Sequence, residues 1–166
     1  NDIPDIAVPV EASTHDQLGG EIQVISGDDG RPLFTAGGPN LVSPWSELAA
    51  GDINADGLPE LIGASSAGNR LLAFEHDGTL KWQSAVNTMP SYIIGASQVI
   101  TGAVSIANLD GVGLPEIMVG ASVFPANGQL LGDGRTLGGT TGGIGMRSAI
   151  SVAADIDLDG AAELVA

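Results

Sequence analysis

Oxygen-bearing side chains stand at alternate positions in one short stretch: Asp52, Asn54 and Asp56, followed by Gly57 and then by Glu60. Alternation places such groups on one side of an extended chain, and the glycine lets the chain turn so that they converge, with the Leu58 carbonyl able to point the same way. Convergent oxygens suit a hard cation. Calcium takes roughly six to eight oxygens at roughly 2.3 to 2.6 Å in forgiving geometry, whereas magnesium demands a tighter octahedron and keeps its waters. Three carboxylates, one amide and one carbonyl from nine consecutive residues therefore favour Ca2+.

The pattern returns twice. Asp155, Asp157, Asp159 and Glu163 supply four carboxylates, and this loop is expected to be the tightest or equal tightest site. Asn108, Asp110 and Glu116 occupy the same positions in a middle copy, but Val112 stands where Asp56 and Asp159 stand, which removes one oxygen and one charge. The expectation is two calcium sites and a degenerate third. Asn1 and Asp5 fit the remnant of an earlier copy. An EF-hand closes with a bidentate Glu at position 12; counted from Asp52, that position is Gly63 and the last acid sits at position 9. The same count excludes a dockerin-like loop. Asp, Asn and Gly also form turns without any metal, but a turn does not require a carboxylate at position 9, inside a strand of Leu and Ile.

The elements that must position these loops repeat with them. The segment from Gly51 to Ile62 matches that from Ala107 to Met118, 56 residues on, and that from Ala154 to Val165, a further 47 residues on. Between the loops, apolar runs flank Asp29-Gly30, Asp77-Gly78 and Asn127-Gly128, a strong hairpin signal. In the copy that contains the middle loop, strands are expected over 103–107, 115–121, 123–125 and 129–131; loops are expected over 36–44, 87–96 and 132–146. Four antiparallel strands per unit of about 50 residues is the arithmetic of a β-propeller blade; a β-sandwich has no reason to repeat one loop in register. The expected fold is thus all-β, with about three four-stranded blades in one partial propeller over 1–166. The repeats are set at 1–45, 46–101, 102–147 and 148–166, the first and last incomplete. Propellers close with about four to eight blades, so the chain is expected to belong to a larger propeller of about seven or eight blades, whose remaining blades, or another subunit, cover its edge strands.

Composition removes several alternatives. Twenty acidic residues face five basic ones, for a net charge of −15, while mean hydropathy is +0.25. A nucleic-acid partner needs a basic face, and an acidic disordered tail would lack the abundant Val, Ile and Leu seen here. No apolar run approaches the roughly 18 to 20 residues of a membrane span, so no membrane insertion is expected. The chain has no Cys, hence no disulfides and no thiolate chemistry. It begins at Asn1 without a leader, so any signal peptide is expected outside it. His15 and His76 read as solvated turn residues. The run Gly138 to Gly145 lacks the Lys-Ser or Lys-Thr of a phosphate loop. Trp45, Trp82 and Tyr92 offer stacking surfaces for a sugar, although with six aromatics in all a core role is expected for Trp82. Nine of the twenty acids lie in the three loops, where a divalent cation is the natural counter-charge.

The runs from Gly51 to Gly63 and from Ala154 to Val165 resemble the FG-GAP repeats of integrin α-subunit propellers and the similar VCBS repeats of bacterial secreted proteins. The Phe-Gly and Gly-Ala-Pro signatures of the integrin repeat are not recognisable, so the resemblance is to the bacterial branch. It implies calcium in the hairpin between the first and second strands of a blade, on Asp52, Asn54, Asp56, the Leu58 carbonyl and Glu60. It further implies an extracellular, cell-surface or periplasmic scaffold that binds a protein or glycan ligand. Leu71 to Trp82 and Ile22 to Phe34 are also similar to the quinoprotein-type repeat. Related propellers occur in polysaccharide lyases and quinoprotein dehydrogenases, which leaves the propeller portion of a secreted enzyme as the alternative, although the sequence shows no catalytic set.

Overall fold

The computed structural model describes residues 3–11, 19–44, 47–86, 91–94, 98–101, 103–133, 151–160 and 162–165. Regular structure there is entirely strand. Three strands, β1 (Ile6–Glu11), β2 (Gly20–Ile25) and β3 (Pro32–Ala36), form the first sheet, and β4 (Ala49–Gly51), β5 (Glu60–Ala64), β6 (Leu71–Phe74) and β7 (Leu80–Gln83) form the second. A hairpin of β8 (Ser91–Ile94) and β9 (Gln98–Thr101) precedes a four-stranded third sheet, made of β10 (Val104–Ala107), β11 (Glu116–Val119), β12 (Ser122–Phe124) and β13 (Gly132–Asp133). The pair β14 (Val152–Ala154) and β15 (Glu163–Val165) completes the set. Every pairing is antiparallel and joins strands adjacent in sequence.

Two strand assignments differ from the sequence reading. The stretch 87–96, expected as loop, contains β8, because Tyr92-Ile93-Ile94 and Val99-Ile100 are β-formers that pair across a short connection. The fourth strand of the third sheet lies at Gly132–Asp133, not at 129–131: Asn127 Oδ1 accepts the Gln129 amide at 3.0 Å and commits that residue to the turn.

The second sheet is buried on both faces, and the period of two along its strands decides which side chain goes where. Leu61, Leu72 and Phe74 join Ile22, Val24, Ala36 and Val42 in one cluster against the first sheet. Ile62, Ala64, Leu71 and Ala73 join Val104, Ile117, Val119 and Phe124 in another against the third. Fully burying one such Leu, Ile or Phe side chain stabilises by about 1.5 to 3 kcal/mol, so the stacking of successive sheets supplies the core. Val42 straps the first two sheets together: it exchanges backbone hydrogen bonds with Gly20 at 2.7 and 2.8 Å, and Ser43 donates to the Ala64 carbonyl at 2.8 Å.

An aromatic on the last strand of one sheet packs on the turn glycine of the next. A Cβ on Gly78 would meet the Phe34 ring at 2.8 Å, and one on Gly128 would meet the Trp82 ring at 2.5 Å. Trp82 Nε1 also donates to the Ala126 carbonyl at 2.9 Å. Trp82 is therefore a packing residue, as expected; Trp45 and His15 lie outside the described residues. Among the described residues, no helix is long and apolar enough to cross a membrane.

Candidate metal centre

Each acidic loop joins the first two strands of its unit: 52–60 lies between β4 and β5, 108–116 between β10 and β11, and 155–163 between β14 and β15. The described backbone shares two left-handed positions in all three. Position four is left-handed, at Ala55 (φ 63°), Gly111 (φ 69°) and Leu158 (φ 63°), and position six is left-handed at Gly57, Gly113 and Gly160. The glutamate at position nine reaches back seven residues to the amide of position two: Glu60 Oε2 accepts from Ile53 at 3.0 Å, Glu116 Oε2 from Leu109 at 2.8 Å and Glu163 Oε2 from Ile156 at 2.8 Å. That explains a carboxylate at the head of an apolar strand. It staples the loop shut.

Position one organises the turn. Asp52 Oδ1 accepts the amides of Asn54 (3.2 Å), Ala55 (2.7 Å) and Asp56 (3.2 Å), and Oδ2 accepts that of Gly57 (2.8 Å). These backbone donors, Gly57 foremost, hold the Asp52 carboxyl below the usual carboxylate range. Asp155 repeats the arrangement, accepting from Asp159 at 3.1 Å and Gly160 at 3.0 Å.

Among the described residues, two sets of carboxylates have the spacing of a cation site. In each of the sets Asp155, Asp157, Asp159 and Asp56, Glu60, Glu75, one oxygen per residue lies within 4.8 Å of the others, and two ligands on one calcium are at most about 5 Å apart. The first set is exposed; in the second, Glu60 is fully buried. Asp52 and Glu163 are not members of these sets. Asn54 donates Nδ2 to Asp56 Oδ2 and to Glu60 Oε1, both at 2.9 Å, and Leu58 enters through its amide, which donates to Asp56 Oδ1 at 2.8 Å. In the middle loop Asp110 Oδ1 accepts the Val112 amide at 2.8 Å and Asn108 Nδ2 points to the Gly113 carbonyl at 3.4 Å, leaving two carboxylates, too few for such a set. Asp5 accepts the Gly27 amide at 3.1 Å.

Sequence reasoning missed Glu75 and Lys81. Leu61 pairs with Phe74, so Glu60 and Glu75 fall at the next cross-strand position. Lys81 Nζ meets Glu75 Oε1 at 2.9 Å and Glu60 Oε1 at 3.2 Å. Its hydrogen bond to Glu75, then that to Glu60, raises the lysine above its usual range. The strand register would have revealed the triad; spacing along the chain does not.

No protein family's sequence profile matches the chain, and no curated protein matches it. A solved fold does. The V. cholerae biofilm matrix protein Bap1 superposes with a TM-score of 0.69 over 99% of this chain, at 23% identity. The chain spans 24% of the length of that protein. At this identity the likeness concerns the fold.

Beside the loops, a cleft of about 550 Å³ opens between the first and second sheets, lined by apolar residues with Asp5 and His76 among them.

Proposed function

We propose that the chain is a run of calcium-stabilised β-propeller blades of FG-GAP/VCBS type that serves as an adhesive scaffold outside the cytoplasm, with a protein or glycan as its ligand. One observation carries the reading: a loop with the same two left-handed positions and the same glutamate staple recurs three times, each time between two paired antiparallel strands. In the last loop Asp155, Asp157 and Asp159 bring one oxygen each within 4.8 Å of the others, a like-charge crowding that a bound cation would relieve. The neighbouring fold belongs to a biofilm matrix protein, and successive stacked sheets are what a propeller requires.

The residues present fit calcium. Asp155, Asp157 and Asp159, with Glu163 as staple, would hold an ion in the last loop; Asp56, Glu60 and Glu75 would frame one at the first, with the oxygen of Asn54 turned inward and Asp52 shaping the turn. Asn108, Asp110 and Glu116 offer less. A bound ion neutralises the carboxylates and pins the hairpin, so its binding free energy adds to folding free energy. Weak sites of this kind fill at the calcium levels outside cells. The cleft beside Phe34, His76 and Asp5 offers one place for such a ligand.

The test is thermal melting across a calcium titration. EDTA lowers Tm, and Asp56→Ala and Asp159→Ala reduce the calcium-dependent gain more than Asp110→Ala does. A melt indifferent to calcium sinks the metal assignment. Glycan-array and cell-binding measurements with calcium and with EDTA test the adhesive role, which an absence of binding in both conditions would contradict.

A further inference from the structure

We propose that Lys81 is a resident cation of the loop 52–60, a built-in counter-ion that keeps this loop folded without metal and makes it the weaker calcium binder; the inference rests on the calcium reading above. Glu60 is fully buried, and a carboxylate out of water requires a paired charge. Its two oxygens are already engaged: Oε2 by the Ile53 amide, Oε1 by Asn54 Nδ2 and by the Lys81 ammonium. The same ammonium holds Glu75, whose carboxylate otherwise faces Glu60 across the strand pair as a like charge. Two of the three carboxylates with cation-site spacing thus already share a positive charge.

A break in the strand register delivers that charge. Phe74 pairs with Leu80 and Ala73 with Trp82, which leaves Lys81 as the extra residue of a β-bulge, the device that re-aims a side chain out of the regular alternation. The first sheet has the same bulge, between Val24–Phe34 and Ile25–Pro32, and there the extra residue is Leu33, 52% exposed. The bulge belongs to the repeat; the lysine on it is particular to the second unit among these two. Glu75 is likewise replaced by Ser26 at the corresponding place after β2. A divalent ion approaching Glu60 must displace the ammonium or bind beside it, and either lowers affinity.

The experiment compares the whole chain with its Lys81→Gln and Lys81→Arg variants by melting in EDTA and in calcium, and by calorimetric calcium titration. Lys81→Gln is expected to lower Tm in EDTA, to recover it in calcium, and to tighten one site about tenfold, the order expected when a positive charge beside the ion is removed; Lys81→Arg stays near the parent. Lys81→Met provides a second route should Lys81→Gln fail to fold: it removes the ammonium, keeps an unbranched stem in the same place, leaves all three carboxylates intact, and tightens the same site to a similar degree. If the parent binds calcium and neither neutral variant changes its affinity, the proposal is overturned while the calcium reading stands. A loss of Tm in Lys81→Gln that calcium does not restore also overturns it, reducing Lys81 to an ordinary ion pair. If neither parent nor variants bind calcium, the calcium reading itself fails, and this proposal with it.

Discussion

Position four of each acidic loop shows how single residues divide the work between conformation and ligation. Ala55 and Leu158 are held at φ 63°, where a side chain clashes with its own backbone, while the middle loop places Gly111 there at 69°. A left-handed non-glycine costs roughly 1 to 2 kcal/mol, partly offset because glycine loses more freedom on folding, by about 0.5 to 1 kcal/mol. Leu158 is 85% exposed, so its replacement sacrifices no packing. Ala55→Gly and Leu158→Gly should therefore each raise the unfolding free energy by about 0.5 kcal/mol, and Gly111→Ala, the reverse exchange in open space, should lower it by about 0.5 kcal/mol, in urea melts with EDTA present. A reversed sign would mean that the surrounding hydrogen bonds, not the side chain, set the cost of this conformation. The distribution is informative: the loop with fewest carboxylates follows the least strained path, and the loops that keep a side chain in a strained position are those with a set of three carboxylates to organise.

At the scale of the element, the contact between sheets is set by an aromatic lying on a glycine. Gly128 has φ 75° and no room for a Cβ because Trp82 covers it, whereas Gly30, at φ 73° in the equivalent turn of the first sheet, has nothing within 4 Å. The two positions separate backbone strain from packing. Gly30→Ala should cost about 0.5 kcal/mol, the conformational part alone, while Gly128→Ala should cost about 1.5 to 3.5 kcal/mol because overpacking adds to it. Equal losses in the two variants would remove the aromatic contact from the forces that hold sheet to sheet. Much of this level was legible beforehand. The Asp29-Gly30, Asp77-Gly78 and Asn127-Gly128 turns, the strands around the first two and the three loops follow from local chemistry, since turn residues and alternation act within a few positions; the strand after Asn127-Gly128 lies further on, at Gly132–Asp133. The staple by Glu60, Glu116 and Glu163 was visible as a carboxylate in an odd place, but not as a hydrogen bond, because it spans seven residues through a turn. Glu75 and Lys81 were illegible for a different reason: they reach Glu60 from β6 and β7, and only the register and the bulge bring them there. The strand β8 was hidden by the Gly, Pro and Ser around it.

At the scale of the whole molecule the question is how a chain of net charge −15 tolerates compaction. Two remedies act over different distances. Salt screens charges separated by more than a Debye length, about 10 Å at 0.1 M, so it relieves repulsion between one loop and another. Within each of the sets Asp56, Glu60, Glu75 and Asp155, Asp157, Asp159 one oxygen per residue lies within 4.8 Å of the others, inside that length, and only a cation at contact neutralises them. Acid adds a third response with a definite sign. Because its folded-state carboxyl is held low, Asp52 contributes stability that is fully present above its unfolded value of about 3.9 and is lost as pH falls through the lower folded value. The decisive comparison is therefore made near neutral pH, where that contribution is constant. In EDTA, Tm should climb as NaCl rises from about 0.01 M to about 0.5 M and then level off, as long-range repulsion is screened. Millimolar calcium, added at the high-salt plateau, should raise Tm further, and magnesium should do so less, since it keeps its waters and demands a stricter octahedron. If calcium's effect vanished at the plateau, the ion would be acting only on the diffuse charge of the molecule and not as a ligand of these loops.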